Sequence, residues 1–307
     1  MQLNRFDMNL LVALDALLRE KNVTRAAEKL HIAQPSMSGA LQRLREHFGD
    51  QLLVRVGREM ELTPRALALV GPVRDILLLT QSALQTQPTF DPLTASRTFS
   101  IMMSDYCVLV FMARLVKRLA VEAPHVQCNA VDISAKAYSS LASGEIDLGV
   151  LPDDVRLFGG TELSLKTRAT PLFRDRWVCA MCVDHPAVGD VLTTEQYLQM
   201  PHAAPRFGEG TITVEENMLR RSSEIIQIEA TAPGFVLLMF MIPGTRLIAT
   251  IPERLAKTIA PILPIKLLTP PIDFPELRET LIWHERSEFD PGHVWMRRLC
   301  MEVANSL

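Results

Sequence analysis

Residues 24–48 constrain the fold more than any other segment, because they place two short helical patterns on either side of a tight break. In the first pattern, residues 24–30, Thr24 can cap the helix and Ala27 is small enough for a second helix to pack closely. The second pattern covers residues 34–48, and its apolar side chains recur at helical spacing at Met37, Leu41, Leu44 and Phe48. The segment therefore predicts a helix-turn-helix.

The second helix of this pair keeps polar side chains away from its apolar face. Such groups on an exposed helix suit the base edges of a DNA major groove, and here they are Gln34, Ser36, Ser38, Gln42 and Arg43. The periodicity alone also fits an amphipathic helix pair inside an ordinary helical domain. The residues that follow favour DNA over that alternative.

A hairpin is predicted directly after the helix pair. Gly49 and Asp50 end the helix, and residues 52–64 indicate two short strands around a turn at residues 57–59. Arg55 and Arg58 lie on this hairpin, where a cation neutralises phosphate beside the groove without reading sequence. Residues 1–63 are therefore predicted to form a winged helix-turn-helix domain.

Short motifs recur in a fixed order along the chain. The N-terminal ones are Asp7-Met8-Asn9-Leu10-Leu11, Thr24-x-x-Ala27-x-x-Leu30, Gln34-Pro35-Ser36-x-Ser38 and Leu62-Thr63-Pro64. The later ones are Phe90-Asp91-Pro92, Asp184-His185-Pro186, Trp283-His284 and Asp290-Pro291-Gly292-x-x-Trp295-Met296-Arg297-Arg298. Together they resemble the LysR-type transcriptional regulators over nearly the full length, and most closely the branch of the nodulation regulator NodD and the salicylate-type regulators NahR and DntR.

The pattern and the resemblance together predict a set of residues that contact double-stranded DNA. The set is Thr24, Gln34, Pro35, Ser36, Ser38, Gln42, Arg43, Arg55 and Arg58. Two residues depart from the family pattern. Ala33 stands where the family usually has a Ser or Thr that caps the recognition helix, and loss of such a cap costs about 1 kcal/mol. Gly39 stands where many relatives carry an Arg, so either the backbone approaches DNA closely or base reading falls on the neighbouring polar residues.

The charge of the chain limits how DNA is attracted. The net charge is −3, but residues 1–65 carry ten Lys or Arg against eight Asp or Glu. Electrostatic attraction must therefore come from a local patch. No export signal or membrane span is predicted, since Asp7 and Asp15 interrupt the first apolar stretch and no apolar run approaches the ~20 residues of a membrane helix. We expect a cytoplasmic protein without membrane association.

No metal or cofactor is expected. The five cysteines are odd in number and give no disulfide framework. Cys179 and Cys182 lie three apart in a strand-like run, so their side chains point to opposite faces, and we expect two buried residues without a shared metal or bond. The seven histidines do not fall at metal-ligand spacing.

Residues 64–88 are predicted to form a linker helix. The helix is crowded with apolar side chains, at Leu67, Leu69, Val70, Val73, Ile76, Leu77, Leu78 and Leu79. So wide a band packs either against its copy in a second chain or against the chain's own domains. The resemblance favours the copy and implies a dimer of dimers. Two recognition helices related by a two-fold axis would read an inverted-repeat operator.

Beyond residues 87–92 the chain alternates strands with helices. Strands are predicted at 98–103, 126–131, 146–151, 177–183, 225–230, 246–250 and 281–284, and helices at 107–122, 135–143, 213–221, 234–241 and 294–304. Alternation of this kind indicates a parallel sheet in an α/β domain. We predict two lobes within residues 92–307, lobe I from 92–166 and 268–307 and lobe II from 167–267, joined by strands near Lys166 and Leu267. The complete chain is thus an α+β multidomain protein, and its second part resembles the periplasmic-binding-protein fold of LysR effector domains.

A ligand is expected between the two lobes, at the carboxyl ends of the strands. Ser104 and Asp105 follow the first strand, where free amides and the Ser104 hydroxyl can hold a ligand carboxylate, although the Asp105 charge competes unless it caps a helix. The resemblance implies that further residues line the same cavity: Phe111, Leu151, Arg174, His202, Phe207, Phe235 and Phe274. Core packing is the alternative for each phenylalanine, as is a satisfied buried imidazole for His202.

Catalysis is the rival class of function. Ser104, Asp105 and His202 are residue types of a hydrolase, but no Gly-x-Ser-x-Gly elbow surrounds the serine, and no dinucleotide or phosphate loop is present. A transporter's solute-binding module would share the two lobes but would not need a DNA-binding head. We therefore predict a regulator, not an enzyme, that activates transcription with RNA polymerase in response to an aromatic acid or a flavonoid-like effector. A repressor with a non-aromatic effector remains the alternative.

Overall fold

The computed structural model describes residues 6–57, 59–85, 90–153, 166–207 and 226–307. The chain divides into two compact units, Met1–Thr86 and Gln87–Leu307. Among the described residues, none of the helices has both the length and the apolar character needed to cross a membrane.

The first unit consists of four helices and a two-stranded hairpin in its described part. They are α1 (Asn9–Glu20), α2 (Val23–Lys29), α3 (Gln34–Phe48), β1 (Leu53–Val56), β2 (Glu59–Leu62) and α4 (Pro64–Gln85). The helices meet around fully or almost fully buried side chains, including Leu14, Leu17, Ala26, Met37 and Leu44. Gly49 ends α3 in the left-handed region at φ 60°, a conformation that glycine adopts without strain.

The predicted helix-turn-helix and hairpin are confirmed, but the predicted cap of α2 is wrong. Asn22, not Thr24, caps this helix, and its side-chain oxygen accepts a hydrogen bond from the Arg25 amide at 3.0 Å. Thr24 lies inside the first turn, on the exposed surface. Asparagine is at least as good a cap as threonine, so the cap lies two residues earlier than predicted and the helix begins at Val23.

Thr63 joins the hairpin to α4. Its hydroxyl donates to the Asp50 carboxylate at 2.6 Å and accepts from the Ala66 amide at 3.1 Å, so it caps α4 while holding the loop after α3. The hydrogen bonds that Asp50 accepts, first from the Thr63 hydroxyl and then from the Leu52 amide, lower the pKa of Asp50. The Leu-Thr-Pro motif is therefore a structural joint.

The apolar band of α4 is only partly buried within the first unit. Ala66 and Val73 are buried there, and Leu69 and Leu77 pack against the same core. Leu67, Val70, Ile76 and Leu79 are exposed. Burial in the chain's own unit thus accounts for part of the band.

The second unit contains a five-stranded sheet, lobe I, in the order β4-β3-β5-β12-β6. Its strands are β3 (Arg97–Met103), β4 (Val126–Val131), β5 (Leu148–Pro152), β6 (Thr167–Asp175) and β12 (Leu277–His284). The helices of this part are α5 (Asp105–Cys107), a π-helical turn (Val108–Met112), α6 (Ala113–Glu122), α7 (Ala135–Ser143) and α11 (Pro291–Ala304).

The second lobe is built on two smaller sheets, of order β10-β7-β11 and β8-β9. Its elements are β7 (Trp177–Cys182), α8 (Thr194–Gln199), β8 (Pro201–Pro205), β9 (Gln227–Ala232), α9 (Phe235–Met241), β10 (Ala249–Pro252), α10 (Glu253–Ile259) and β11 (Ile265–Leu268). The helix predicted at residues 213–221 lies outside the described residues. Cys179 and Cys182 are both buried on β7 and form no disulfide.

The structure corrects two predictions about this unit. β6, which we assigned to lobe II, pairs with β12 along its length in the sheet of lobe I, so the chain crosses after Asp175. The sheets are also not uniformly parallel: β3 runs parallel to β4 and β5, but β7 is antiparallel to both of its neighbours. Alternation of strands and helices does not distinguish these pairings, because each depends on where the chain changes lobe.

Candidate functional site

The outer face of α3 is the first candidate surface. Gln34, Pro35, Ser36, Gln42 and Arg43 are exposed there, and Ser38 is half-buried. Two side-chain hydrogen bonds hold this face, from Gln34 Nε2 to Ser38 Oγ and from Gln42 Nε2 to Glu46 Oε1, both at 2.9 Å. Amide and hydroxyl groups arranged along one helix face can meet base edges in a major groove.

Arg43 is held loosely on this face. Its guanidinium lies 3.7 Å from the Asp7 carboxylate, and 59% of its side chain is exposed. Exposed ion pairs contribute little free energy, so this cation is easily transferred to a phosphate.

The N-terminal half of α3 leaves room for a close neighbour. Ala33 precedes the helix and makes no side-chain cap, so its first amides lack that acceptor. A Cβ added at Gly39 would have no atom within 4 Å. Packing therefore does not require glycine at this position, which agrees with the idea that a partner's surface approaches the backbone there.

The hairpin is fixed to α3 by Arg45. Its guanidinium donates to the carbonyl oxygens of Gln51 at 2.9 Å and Leu53 at 3.2 Å. Arg55 projects from β1, is exposed, and donates to the Gly57 carbonyl at 3.2 Å. Arg58 lies outside the described residues. Arg55 thus lies on the hairpin that is fixed to α3.

Ser104 and Asp105 lie at the carboxyl end of β3, as predicted, but the amides there are already bonded. Ser104 Oγ accepts from the Cys107 amide at 3.3 Å, and Asp105 Oδ1 accepts from the Tyr106 amide at 2.9 Å. The prediction that these amides are free for a ligand carboxylate is therefore wrong. The side chains of the strand end satisfy them instead.

Asp105 does cap a helix, but in the other lobe. Its Oδ1 accepts from the Phe235 amide at 3.0 Å and its Oδ2 from the Val236 amide at 2.7 Å, at the start of α9. A carboxylate at a helix N-terminus is favourable because it meets unpaired amides and the positive end of the helix dipole. This resolves the charge conflict expected at Asp105.

A row of aromatic rings runs between the lobes. Successive ring centroids lie 6.0–6.4 Å apart, in the order Phe111, Phe173, Tyr106, Phe235, Trp177, Phe274 and Tyr197. Phe207 also packs on Phe235, at 5.6 Å. Four of the predicted residues thus come together, Phe111, Phe207, Phe235 and Phe274.

Three other predicted residues lie elsewhere or have other partners. Arg174 points outward, with 65% of its side chain exposed and an ion pair to Glu276 at 3.3 Å. Leu151 is buried in the five-stranded sheet. His202 is buried beside the end of the row, where its Nε2 faces the Tyr197 carbonyl oxygen at 2.6 Å, and burial lowers its pKa. Arg174 therefore lies on the surface, although the resemblance implied that it lines the cavity.

Buried acids accompany the aromatic row, and sequence reasoning missed them. Tyr106 donates its hydroxyl to Asp175 Oδ2 at 2.7 Å, and burial raises the pKa of both groups. Burial also raises the pKa of Glu279 to about 8 and that of the neighbouring Cys107 thiol. Glu279 Oε2 has no hydrogen-bond partner among the described residues. The available signal was a lone acid in the apolar strand of residues 277–284.

The described residues do not assemble a catalytic or metal site. Ser104 is engaged at its own helix start, and His202 is bonded to a backbone carbonyl in the other lobe. No group of three or more potential metal ligands occurs within the described part of the chain.

Comparison with known families matches both units. Residues 8–67 match the bacterial regulatory helix-turn-helix protein, lysR family, and residues 94–305 match the LysR substrate binding domain. Nodulation protein D 1 of Bradyrhizobium sp. (strain NC92) is 37% identical over 308 residues, which cover 100% of this chain and 96% of that protein. Nodulation protein D 1 of Rhizobium meliloti (strain 1021) is 35% identical, with 100% and 98% covered.

Solved structures agree with this match. The probable transcriptional regulator PA0477 from Pseudomonas aeruginosa has a TM-score of 0.66 and 30% identity, and the similarity covers 98% of each chain. Full-length CbnR complexed with its target DNA has a TM-score of 0.52 and 14% identity, over 97% of this chain and 100% of that one. The second similarity concerns the fold alone.

Proposed function

The chain belongs to the LysR family of bacterial helix-turn-helix regulators, and from this membership we propose that it activates transcription in response to an aromatic effector bound between its two lobes. It is a transcriptional regulator and not an enzyme. Members of this family bind DNA and small-molecule effectors.

The row of aromatic rings carries the proposal for the effector. Tyr106 of lobe I meets Phe235 of the second lobe edge-on there, so a flat aromatic molecule can pack in place of one protein ring while retaining the apolar contacts. Asp175, Glu279 and Ser104 lie beside the row as polar groups. We propose an aromatic acid or a flavonoid-like compound as the effector.

For DNA binding, we propose that α3 reads bases and the hairpin contacts phosphate. Gln34, Pro35, Ser36, Ser38 and Gln42 would face the major groove, while Thr24, Arg43, Arg55 and Arg58 would contact the backbone. The exposed polar face of α3 supports this assignment.

The exposed apolar face of α4 supports self-association. Leu67, Val70, Ile76 and Leu79 are exposed apolar side chains that a second α4 would partly cover. We propose a dimer of dimers on an inverted-repeat operator in the cytoplasm, which recruits RNA polymerase when the effector shifts the population of lobe arrangements.

Salt dependence tests the phosphate contact. We expect Arg55→Ala to weaken binding to all duplexes and to reduce the slope of log affinity against log salt by about 1. The matched control is Arg114→Ala, which removes a cation of the second unit that donates to the Ser306 carbonyl. Equal slopes for Arg55→Ala and the unchanged chain would remove the hairpin from the phosphate contacts.

A ligand panel tests the effector class. Aromatic acids, flavonoids and non-aromatic metabolites are compared by thermal shift, since a ligand that binds the folded form raises the melting temperature. We expect an aromatic compound to raise it, and Phe235→Leu to abolish the shift. Phe289→Leu, at a residue that is 90% exposed, should leave the shift unchanged. A response to non-aromatic compounds only, with loss of transcript on binding, would establish the repressor alternative instead.

A further inference from the structure

We infer that Asp105 is a latch that holds the two lobes of the second unit together in the absence of an effector. The contact lies within one chain, so its opening can be measured without a known effector. Only its consequence for transcription rests on the proposed function.

The latch is a three-bond contact made by one carboxylate. Asp105 follows β3 of lobe I, and its Oδ1 is fixed locally by the Tyr106 amide at 2.9 Å. The same Oδ1 and the free Oδ2 accept the amides of Phe235 and Val236, which begin α9 more than 120 residues later. Bonds to an ionised acceptor are stronger than neutral ones, and a carboxylate that meets two adjacent amides also fixes direction.

Gly234 is the other half of the contact. A Cβ at this position would lie 2.3 Å from Asp105 Oδ2 and 2.6 Å from Oδ1, too close for any side chain. Its φ of −168° is extended backbone that every residue can adopt. Glycine is therefore required by the approach of the carboxylate and not by the backbone conformation.

The contact lies in the middle of the aromatic row. Tyr106, the residue after Asp105, packs edge-on against Phe235, the first residue of α9. A molecule that enters between these two rings must separate the segments that Asp105 joins. Effector entry thus requires the latch to open, and a weaker latch lets the unliganded lobes part more often.

Amide hydrogen exchange at residues 235 and 236 tests the latch in the full chain. We expect Asp105→Asn to speed exchange of these two amides by roughly tenfold to a hundredfold, because one acceptor oxygen becomes a donor that cannot receive the amide hydrogen. Asp132→Asn, which alters an exposed acid of the same lobe, should change neither amide.

A double-mutant cycle separates the latch from a general loss of stability. Gly234→Ala alone should speed the same amides, because the new methyl group displaces the carboxylate. In an Asp105→Ala background the clash is gone, so Gly234→Ala should change exchange by less than about twofold. Equal effects of Gly234→Ala in both backgrounds, or unchanged exchange in Gly234→Ala, would overturn the latch. Should Asp105→Ala not fold, Asp105→Asn alone decides, because it keeps the size of the side chain and alters only its acceptors; unchanged exchange of the two amides in Asp105→Asn would then overturn the latch.

Reporter transcription is the second readout. If the proposed function holds, Asp105→Asn and Gly234→Ala should both change transcription in the absence of an effector, in the same direction. Altered exchange with unaltered transcription would leave the latch standing and contradict its regulatory consequence alone.

Discussion

Replacing Glu279 by glutamine should make the second unit more resistant to unfolding at alkaline pH. The carboxyl is fully enclosed, and burial raises its pKa from 4.5 to about 8. In the folded chain it stays protonated to about pH 8, whereas in the unfolded chain it loses its proton near pH 4.5. Between these values the folded state binds more protons, so the contribution of Glu279 to the free energy of unfolding falls as pH rises.

The size of the effect follows from the shift. Each pH unit within the window costs about 1.4 kcal/mol, so the contribution declines by roughly 4 kcal/mol between pH 5 and pH 8. Glutamine has nearly the shape of the protonated acid but does not titrate. The free energy of unfolding of Glu279→Gln, minus that of the unchanged chain, should therefore increase by this amount over the same range.

Urea unfolding followed by tryptophan fluorescence measures the difference. All three tryptophans, at 177, 283 and 295, belong to the second unit, so the signal reports that unit alone. Glu276→Gln is the matched control, because Glu276 lies nearby but is exposed and paired with Arg174 and Arg278. A difference that stays constant from pH 5 to pH 8 would show that Glu279 is ionised throughout and that burial does not raise its pKa.

Three further predictions concern the first unit. Gly39→Ala should stabilise α3 by about 1 kcal/mol, seen as a higher melting temperature, and should weaken operator binding only if DNA approaches the backbone at this position. A lower melting temperature would contradict the finding that an added Cβ meets no other atom. Thr63→Val removes two hydrogen bonds and should lower the free energy of urea unfolding by about 1–2 kcal/mol, whereas Thr80→Val, which removes an exposed hydroxyl, should lower it by under about 0.5 kcal/mol. Equal losses would show that Thr63 does not join the hairpin to α4. Leu79→Glu should shift the chain toward monomer in sedimentation, and Ile262→Glu, at a residue of the second unit that is 71% exposed, should not. An unchanged assembly in Leu79→Glu would refute self-association through α4.

Local patterns predicted the first unit well because its contacts are local. Helical periodicity and Gly49 define α3, and the hairpin follows within a few residues. The cap of α2 was misplaced by two residues, since Asn22 and Thr24 are both good cap residues and only the backbone decides between them.

The second unit depends on distant contacts, which a single sequence does not reveal. The resemblance implied that Phe111, Phe207, Phe235 and Phe274 line one cavity, and the structure places all four in or beside one row of rings. The resemblance misplaced Arg174, which sits on the surface beside Glu276. The bonds from Asp105 to α9 join segments that nothing in the local pattern links.

The hydrogen bonds of Thr63 to Asp50 and to α4 leave the first unit without slack between its reading helix and its linker. In the proposed dimer, each such unit would move as a rigid body attached through α4. A rotation of one α4 against the other would then change the distance between the two α3 helices, so the preferred spacing of operator half-sites would report how the α4 helices are arranged.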